Sequence, residues 1–163
     1  MKKNTLGNHM HEKKEKFMRA PFQILAIPYK KEKELLYCVL QRADSDQWQF
    51  IAGGGEDDET PKEAAIREIY EEAGVENADV IELVSMAYVP ANVIKECHRK
   101  YWAKDMYVLP EYHFAFLCNT DIMVSKEHTE YVWLSYEEAM KKLTWDSNRT
   151  ALYELNCRLE GSV

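Results

Sequence analysis

The first half of the chain carries short apolar runs separated by charged or glycine-rich segments, a pattern typical of β-strands. Residues 21–29 and 35–42 are two such runs, and the charged segment 30–34 between them predicts a hairpin turn. A third run, 48–52, predicts a short strand that leads into three consecutive glycines at 53–55. We expect these glycines to form a turn, because glycine adopts backbone angles that other residues resist.

One helix is marked clearly at both of its ends. Thr60 is a favourable N-cap residue, Pro61 suits the first helical position, and Glu63 lies three residues after Thr60, as a capping box requires. Gly74 is typical of the residue that terminates a helix. The sequence therefore predicts a helix from about Pro61 to Ala73.

The second half of the chain alternates between strand-like and helix-like segments. The pattern predicts three strands and two helices, with the strands at 79–89, 107–118 and 131–135 and the helices at 136–143 and 147–159. Residues 92–106 are mixed and charged, and we expect a loop there. Strands interleaved with a few helices indicate a mixed α/β layer fold.

Length and composition favour a single soluble globular domain. The chain has 163 residues, and we expect a flexible charged tail at 1–18 followed by a single domain at 19–163. The tail has no apolar segment typical of a secretory signal, and no run is long enough to span a bilayer. The net charge of −7 argues against a general nucleic-acid binder.

The four cysteines are widely spaced, which argues against a zinc site or a disulfide framework. Cys38 and Cys118 lie in apolar runs, so we expect both to be buried thiols. A reducing, cytoplasmic location is the simplest interpretation of this pattern.

Carboxylates crowd the predicted helix and the segment before it, at Glu59, Glu63, Glu68, Glu71 and Glu72. Such a cluster repels itself unless a cation lies within it, and Mg²⁺ prefers oxygen ligands and often also holds substrate phosphates. On a helical wheel the last three carboxylates fall within about 100° of one another. We expect this face to look outward.

The opposite face of the predicted helix is apolar. Ala65, Ile66, Ile69 and Ala73 gather in one arc, and we expect them to pack on the sheet. Ala64 lies among the carboxylates and is small enough to leave room for ions. The carboxylate arc contains no lysine, unlike an ordinary surface helix.

The spacing of these residues resembles a known signature. Gly53 is followed after five residues by Glu59, and seven residues later by the segment 67–75, which reads REIYEEAGV. This arrangement resembles the Nudix box of hydrolases that cut diphosphate bonds in nucleotide-like substrates. The resemblance implies an α/β/α sandwich around a mixed sheet, and a pyrophosphohydrolase that uses Mg²⁺ or Mn²⁺.

The resemblance also implies roles for individual residues. Glu72 is the leading metal ligand, and Glu68 is either a second ligand or the base that acts on water. Glu71 is a further ligand, and we interpret Arg67 as an orienting group that pairs with it across one helical turn. The glycine segment is expected to contribute substrate contacts from Gly53 and Gly54, and a backbone carbonyl ligand.

Three segments outside the box resemble one group of the family, the bacterial dihydroneopterin triphosphate pyrophosphatases. These segments are 40–50, 127–139 and 143–152. In that group the equivalent of Glu127 is a metal ligand and the equivalent of Arg42 contacts the substrate. The group often carries Thr-Gly-Ser where this chain has Ala52-Gly53-Gly54, which leaves the identity of the substrate open.

The predicted substrate is a small-molecule nucleotide or pterin triphosphate, cleaved to a monophosphate and pyrophosphate. Alternatives are ADP-ribose, dinucleoside polyphosphates, RNA ends, or a Nudix-like module that binds ligands without catalysis. Many relatives are dimers, so the resemblance allows a homodimer. Several aromatic residues are candidates for stacking on a heterocycle: Trp48, Tyr88, Tyr101, Trp102 and Trp145. We interpret His98 and His113 as ordinary surface or core residues.

Overall fold

The computed structural model describes residues 17–162. Most of the predicted tail, residues 1–16, lies outside the described part. Met18 is already anchored, because its N–H donates to the Asp57 carboxylate at 2.8 Å and its carbonyl accepts from the Asp57 N–H at 2.7 Å. None of the helices in the described range has the length and apolar character required to cross a bilayer.

The described residues form a seven-stranded sheet, four α-helices and one short 3-10 helix at Ala91–Val93. The strands are β1 (Arg19–Lys31), β2 (Leu35–Arg42), β3 (Trp48–Gln49), β4 (Ile51–Glu56), β5 (Val80–Pro90), β6 (Val108–Leu117) and β7 (His128–Leu134). The helices are α1 (Pro61–Ala73), α2 (Glu96–Arg99), α3 (Tyr136–Lys142) and α4 (Asp146–Glu160).

The sheet is mixed, as predicted. Its main path runs β3-β2-β1-β6-β5, while β4 pairs with β1 and β7 pairs with β2. Strands β1 and β6 are parallel, and the other pairs are antiparallel. Because β1 is long, its two halves pair with β4 and β2 on one side and with β6 on the other.

The two faces of the sheet are covered by different helices, and β1 shows this most clearly. Ile24 and Ala26 belong to the core beneath α1, whereas Leu25 and Ile27 belong to the core beneath α3 and α4. Alternate residues of a strand point to opposite faces, so β1 contributes to both cores. The predicted α/β/α sandwich is confirmed.

Two predictions about the loops were wrong. The glycines at 53–55 do not form a turn, because they lie inside β4, where Gly53 pairs with Ile24 and Gly54 pairs with Gln23. These glycines leave room for neighbouring side chains. A Cβ at Gly53 would stand 2.1 Å from the Glu68 carboxyl carbon. The predicted loop at 92–106 contains part of the 3-10 helix and all of α2.

Helix α1 begins and ends where the sequence predicts. The capping box between Thr60 and Glu63 is present, and Gly74 ends the helix in the left-handed conformation with φ 72°. Its rotation about its own axis differs from the prediction, because Glu68 and Glu72 are buried while Ile66 is only half-buried. Two of the three predicted metal ligands, Glu68 and Glu72, are therefore buried instead of facing outward.

The prediction about Ala64 was also incomplete. Ala64 is fully buried and packs in the apolar core with Ala65 and Ile69. Small residues on this face let α1 approach the sheet closely, and that approach brings Glu68 above Gly53. The same close packing explains why part of the carboxylate face is buried.

Asn148 fixes the start of α4 against the strands. Its side chain is buried, with 3% of the residue exposed, and its Oδ1 accepts a hydrogen bond from the Phe50 N–H at 2.9 Å. Phe50 lies between β3 and β4, so this bond joins α4 to the strand that carries the three glycines.

Asn148→Ala is expected to lower the free energy of unfolding by about 1–3 kcal/mol, because the buried Phe50 N–H would lose its acceptor. Urea denaturation at neutral pH measures the change. Ser147→Ala is the matched control, because the Ser147 hydroxyl accepts a hydrogen bond of 3.3 Å from the Asn148 amide nitrogen and does not touch the Oδ1 bond to Phe50. Equal losses in the two variants would contradict the assigned role of the Phe50 bond.

Candidate active site

A large cavity opens between the end of α1 that carries the carboxylates and the start of α4. Its volume is about 1280 Å³. Strand β4 and helix α1 line one end, and strands β5 and β6 line the other. Most of the predicted site residues lie on its wall: Arg42, Gly53, Gly54, Glu68, Glu71 and Glu127.

Arg67 is the hub of the carboxylate cluster. Its guanidinium donates two hydrogen bonds to Glu59, at 2.7 and 2.9 Å, and one to the carbonyl of Gly54 at 2.8 Å. It also contacts Glu68 at 2.9 Å and Glu71 at 3.3 Å. Arg67 therefore ties α1 to β4 and to the loop between them, which is more than the predicted pair with Glu71.

The charges around Arg67 change its pKa and that of Glu59. Burial alone lowers the pKa of Arg67, but the bonds to Glu59 and Glu68 outweigh burial and raise it. Burial likewise opposes ionisation of Glu59, yet the hydrogen bonds from Arg67 and from the Glu56 N–H lower its pKa overall. Glu59 is thus an ionised anchor that ties the loop before α1 to Arg67.

Glu68 lies above Gly53 and is largely buried. Burial raises the pKa of Glu68 to about 7, against the opposing effect of Arg67 and together with the repulsion of Glu71 and Glu127. Burial also raises the pKa of Glu56, which lies on the same cavity wall. Without a cation nearby, ionising these carboxyl groups therefore costs the folded protein free energy.

Glu72 is the most deeply buried acid of this cluster. Only 2% of the residue is exposed, and neither carboxyl oxygen has a hydrogen-bond partner among the described residues. The nearest basic atom recorded is His128 Nδ1, at 3.8 Å, and burial lowers the pKa of His128. Burial, then the Glu127 and Glu68 carboxyls, raise the pKa of Glu72 well above its usual range.

The predicted ligand set is close together but not preassembled. Within residues 17–162, no three His, Cys, Asp or Glu side chains converge closely enough to form a ready metal site. Glu68 is held by Arg67, while Glu71 and Glu127 are exposed at the rim of the cavity. The metal ligands therefore remain a prediction.

Arg42 lines the cavity but has a partner of its own. Its guanidinium donates to the Asp44 carboxylate through two bonds, at 2.8 and 2.7 Å. These bonds raise the pKa of Arg42 despite partial burial. A substrate phosphate contacting Arg42 has to share it with Asp44, so its predicted contact with substrate remains untested.

Among the residues of the cavity that sequence reasoning missed are Arg19, Gln23 and Glu111. The Arg19 guanidinium covers Gly54, where a Cβ would fall 1.5 Å from the Arg19 Cζ. Its Nε is buried without a partner among the described residues, and burial lowers the pKa of Arg19. No local motif marks these residues, because only the pairing of β1 with β4 and β6 brings them together.

The predicted aromatic candidates divide into two groups. Trp145 and Tyr88 line the cavity and are substantially exposed. The other three lie elsewhere: Trp48 is covered by Lys142, Tyr101 by Lys100, and the Trp102 indole donates to the Arg19 carbonyl at 2.8 Å. Only the first pair is placed to stack on a bound heterocycle.

Comparison with known proteins agrees with this architecture. The NUDIX domain family matches residues 21–155. The dihydroneopterin triphosphate diphosphatase of Haemophilus influenzae is 30% identical over 148 residues, covering 83% of this chain and 88% of the relative. The resemblance to the Nudix family predicted from the sequence is confirmed.

Solved structures give the same result. A Listeria monocytogenes protein assigned to the NUDIX hydrolases is 44% identical, with a TM-score of 0.77 and coverage of 87% of this chain and 96% of that one. The Escherichia coli dihydroneopterin triphosphate pyrophosphohydrolase is 27% identical, with a TM-score of 0.68 and coverage of 86% and 99%. From the extent of these matches and the box residues on α1, the chain belongs to the NUDIX family and is a pyrophosphohydrolase.

Proposed function

We propose that the protein is a Mg²⁺-dependent pyrophosphohydrolase of dihydroneopterin triphosphate or a similar nucleoside triphosphate. The products are the monophosphate and pyrophosphate. The observation that carries this proposal is the buried, unpartnered carboxyl group of Glu72, close to Glu68, which lines a cavity that also presents Arg19 and Arg42. The Haemophilus influenzae and Escherichia coli relatives support the choice of substrate.

The residues present fit a hard divalent cation. All the predicted ligand side chains are carboxylates, and Glu72 keeps both oxygens free of hydrogen-bond donors within the described residues. The residues that would hold the ion are Glu68, Glu71, Glu72 and Glu127, with a backbone carbonyl of β4 as a further ligand. A divalent cation bound there supplies positive charge to phosphate oxygens and promotes ionisation of water.

The chain's own residues supply the remaining parts of the reaction. Arg67 bonds both Glu68 and the Gly54 carbonyl, and so joins α1 to β4 beside the carboxylates. Glu68 either holds the ion or accepts a proton from the attacking water. Arg42 and Arg19 bind phosphate oxygens, for which a planar guanidinium is well suited because it can bond two oxygens at once.

The cavity favours a substrate larger than a phosphate group alone. Ligand sites are typically about 300–1,000 Å³, and this cavity is larger, at about 1280 Å³. ADP-ribose or a dinucleoside polyphosphate would also fit, and these remain the alternatives within the same reaction class. A module without catalysis is disfavoured, because Glu68, Glu71 and Glu72 are all present.

We also propose a cytoplasmic location. Within the described residues all four cysteines are free, and Cys38 and Cys118 are buried as predicted. Free thiols are typical of a reducing compartment. Association into a homodimer remains a prediction from the resemblance to the family.

A panel of substrates tests the proposed reaction directly. With Mg²⁺, dihydroneopterin triphosphate is expected to give stoichiometric pyrophosphate, with a higher kcat/KM than dNTPs, ADP-ribose or dinucleoside polyphosphates. The released phosphate species is identified by ³¹P NMR. Release of orthophosphate alone, or the highest kcat/KM on ADP-ribose, would contradict the proposal.

Glu72→Gln is expected to lower kcat by about a hundredfold or more, because loss of metal-held charge usually removes a large part of catalysis. The metal-free variant is expected to unfold at or above the wild-type temperature, because the amide replaces a buried acid that lacks a partner. Calorimetry with and without Mn²⁺ separates the two effects. A rise in Tm with Mn²⁺ as large as that of the wild type would contradict the assignment of Glu72 as a ligand.

Gly53→Ala is expected to lower kcat by about tenfold or more, because its Cβ would stand 2.1 Å from the Glu68 carboxyl carbon and displace the carboxylate. The free energy of unfolding should change by only about 1 kcal/mol, since the displaced group is the end of a flexible side chain.

Gly55→Ala is the matched control for stability. Its Cβ would stand 2.2 Å from the Phe22 ring, which packs against the apolar core, so this variant should lose more stability than Gly53→Ala. Urea denaturation and steady-state kinetics on both variants measure the contrast. Full activity in Gly53→Ala would show that the position of Glu68 does not matter.

A further inference from the structure

A row of residues crosses four strands of the cavity wall, from β4 beside α1 to β5 at the other end. In the register of the sheet, Gly54 pairs with Gln23, Gln23 pairs with Glu111, and Glu111 pairs with Ala87. These four residues form one row that lines the cavity. The Arg19 guanidinium covers Gly54 and contacts the Gln23 amide oxygen at 3.5 Å, whereas Ala87 at the other end is small, so the open part of the cavity over this row, the slot, lies beside Glu111 on the Ala87 side.

Glu111 is held rigidly within this row. Only 4% of the residue is exposed, its Oε2 accepts from the Gln23 amide at 3.1 Å, and its Oε1 lies 3.1 Å from His113 Nε2. His113 Nδ1 lies 3.0 Å from the Ser85 hydroxyl. If Ser85 donates to Nδ1, the proton of the ring lies on Nε2 and is donated to Glu111.

This network leaves part of the carboxylate unused. A carboxylate has about four acceptor positions, and Glu111 uses two of them for Gln23 and His113. Each oxygen therefore has one partner, and its remaining acceptor position is available to a donor in the slot. A planar ligand with two adjacent N–H groups can donate to both oxygens at once.

We propose that Glu111 determines specificity by binding the 2-amino-4-oxopyrimidine edge that guanine and pterins share. That edge presents a ring N–H next to an exocyclic amino group, which matches two carboxylate oxygens. Adenine and cytosine place an acceptor nitrogen beside their amino group, so one carboxylate oxygen would face a lone pair. This inference rests on the proposed function and narrows its substrate to one class of heterocycle.

The surroundings of the slot suit a flat, fused ring. Trp145 and Tyr88 are exposed aromatic side chains on the same cavity, and Leu25 and Ile94 add apolar surface. Aromatic rings stack on heterocycles and supply affinity with little dependence on sequence or base identity. Stacking therefore supplies affinity, while Glu111 supplies the discrimination.

Binding measured without chemistry tests this inference. Neopterin, guanosine monophosphate and adenosine monophosphate are titrated calorimetrically into the protein in EDTA. Neopterin and guanosine monophosphate are expected to bind at least about tenfold more tightly than adenosine monophosphate, the discrimination typical of one bidentate contact. Glu111→Gln should weaken the first two by about tenfold and change the third by less than about threefold.

A second variant keeps the test decisive if Glu111→Gln fails to fold. Ala87→Ile leaves the carboxylate in place but fills the slot above it, and should also weaken neopterin by about tenfold or more. Equal affinities of the three ligands for the wild type, or unchanged neopterin affinity in a folded variant, would overturn the inference. Because the titration needs no metal and no hydrolysis, loss of the proposed reaction would leave its outcome unaffected.

Discussion

The main constraint on this structure is that α1 carries more acidic side chains than the nearby basic groups can pair with. Arg67 offsets the charge of Glu59 and Glu68 from one side of the cluster, and it also donates to the carbonyl of Gly54. Glu72 lies beyond its reach, buried and without a hydrogen-bond donor among the described residues. A folded protein keeps an unpaired buried acid only at a cost in stability, and binding of a divalent cation offsets that cost.

The sheet brings carboxylates of α1 and the proposed specificity residue Glu111 to one cavity. Strand β4 lies under α1 and pairs with β1, and β1 pairs with β6, so polar residues of three strands line the same wall. The carboxylates occupy one end, and Glu111 the other. Such a division lets the chemistry of diphosphate cleavage stay constant while the residues of the sheet select the heterocycle.

Local signals in the sequence predicted the elements well. The cap at Thr60 and the terminator Gly74 fix α1 through contacts within a few residues, and the predicted bounds were confirmed. The spacing of Glu68, Glu71 and Glu72 identified the reaction class for the same reason. The glycines at 53–55 were misjudged, because glycine in a strand and glycine in a turn look alike without knowledge of the opposing helix.

Features that depend on tertiary register could not be predicted. Arg19 and Glu111 are isolated polar residues in apolar strands, and no spacing along the chain marks them as neighbours. The burial of Glu72 depends on the rotation of α1 about its axis, which small residues such as Ala64 set by packing on the sheet. An amphipathic pattern predicts that one face of a helix is buried. Which residues belong to that face depends on how closely the helix packs on the sheet.

The central claim is that buried carboxylates of α1 hold divalent cations. Crystals soaked in Mn²⁺ and measured at a wavelength with strong manganese anomalous scattering test it most directly. The account predicts an anomalous peak within ligand distance of Glu72 and of at least one further carboxylate of α1. Absence of any peak beside α1, with Glu68 still paired to Arg67 and Glu72 still unligated, would contradict it.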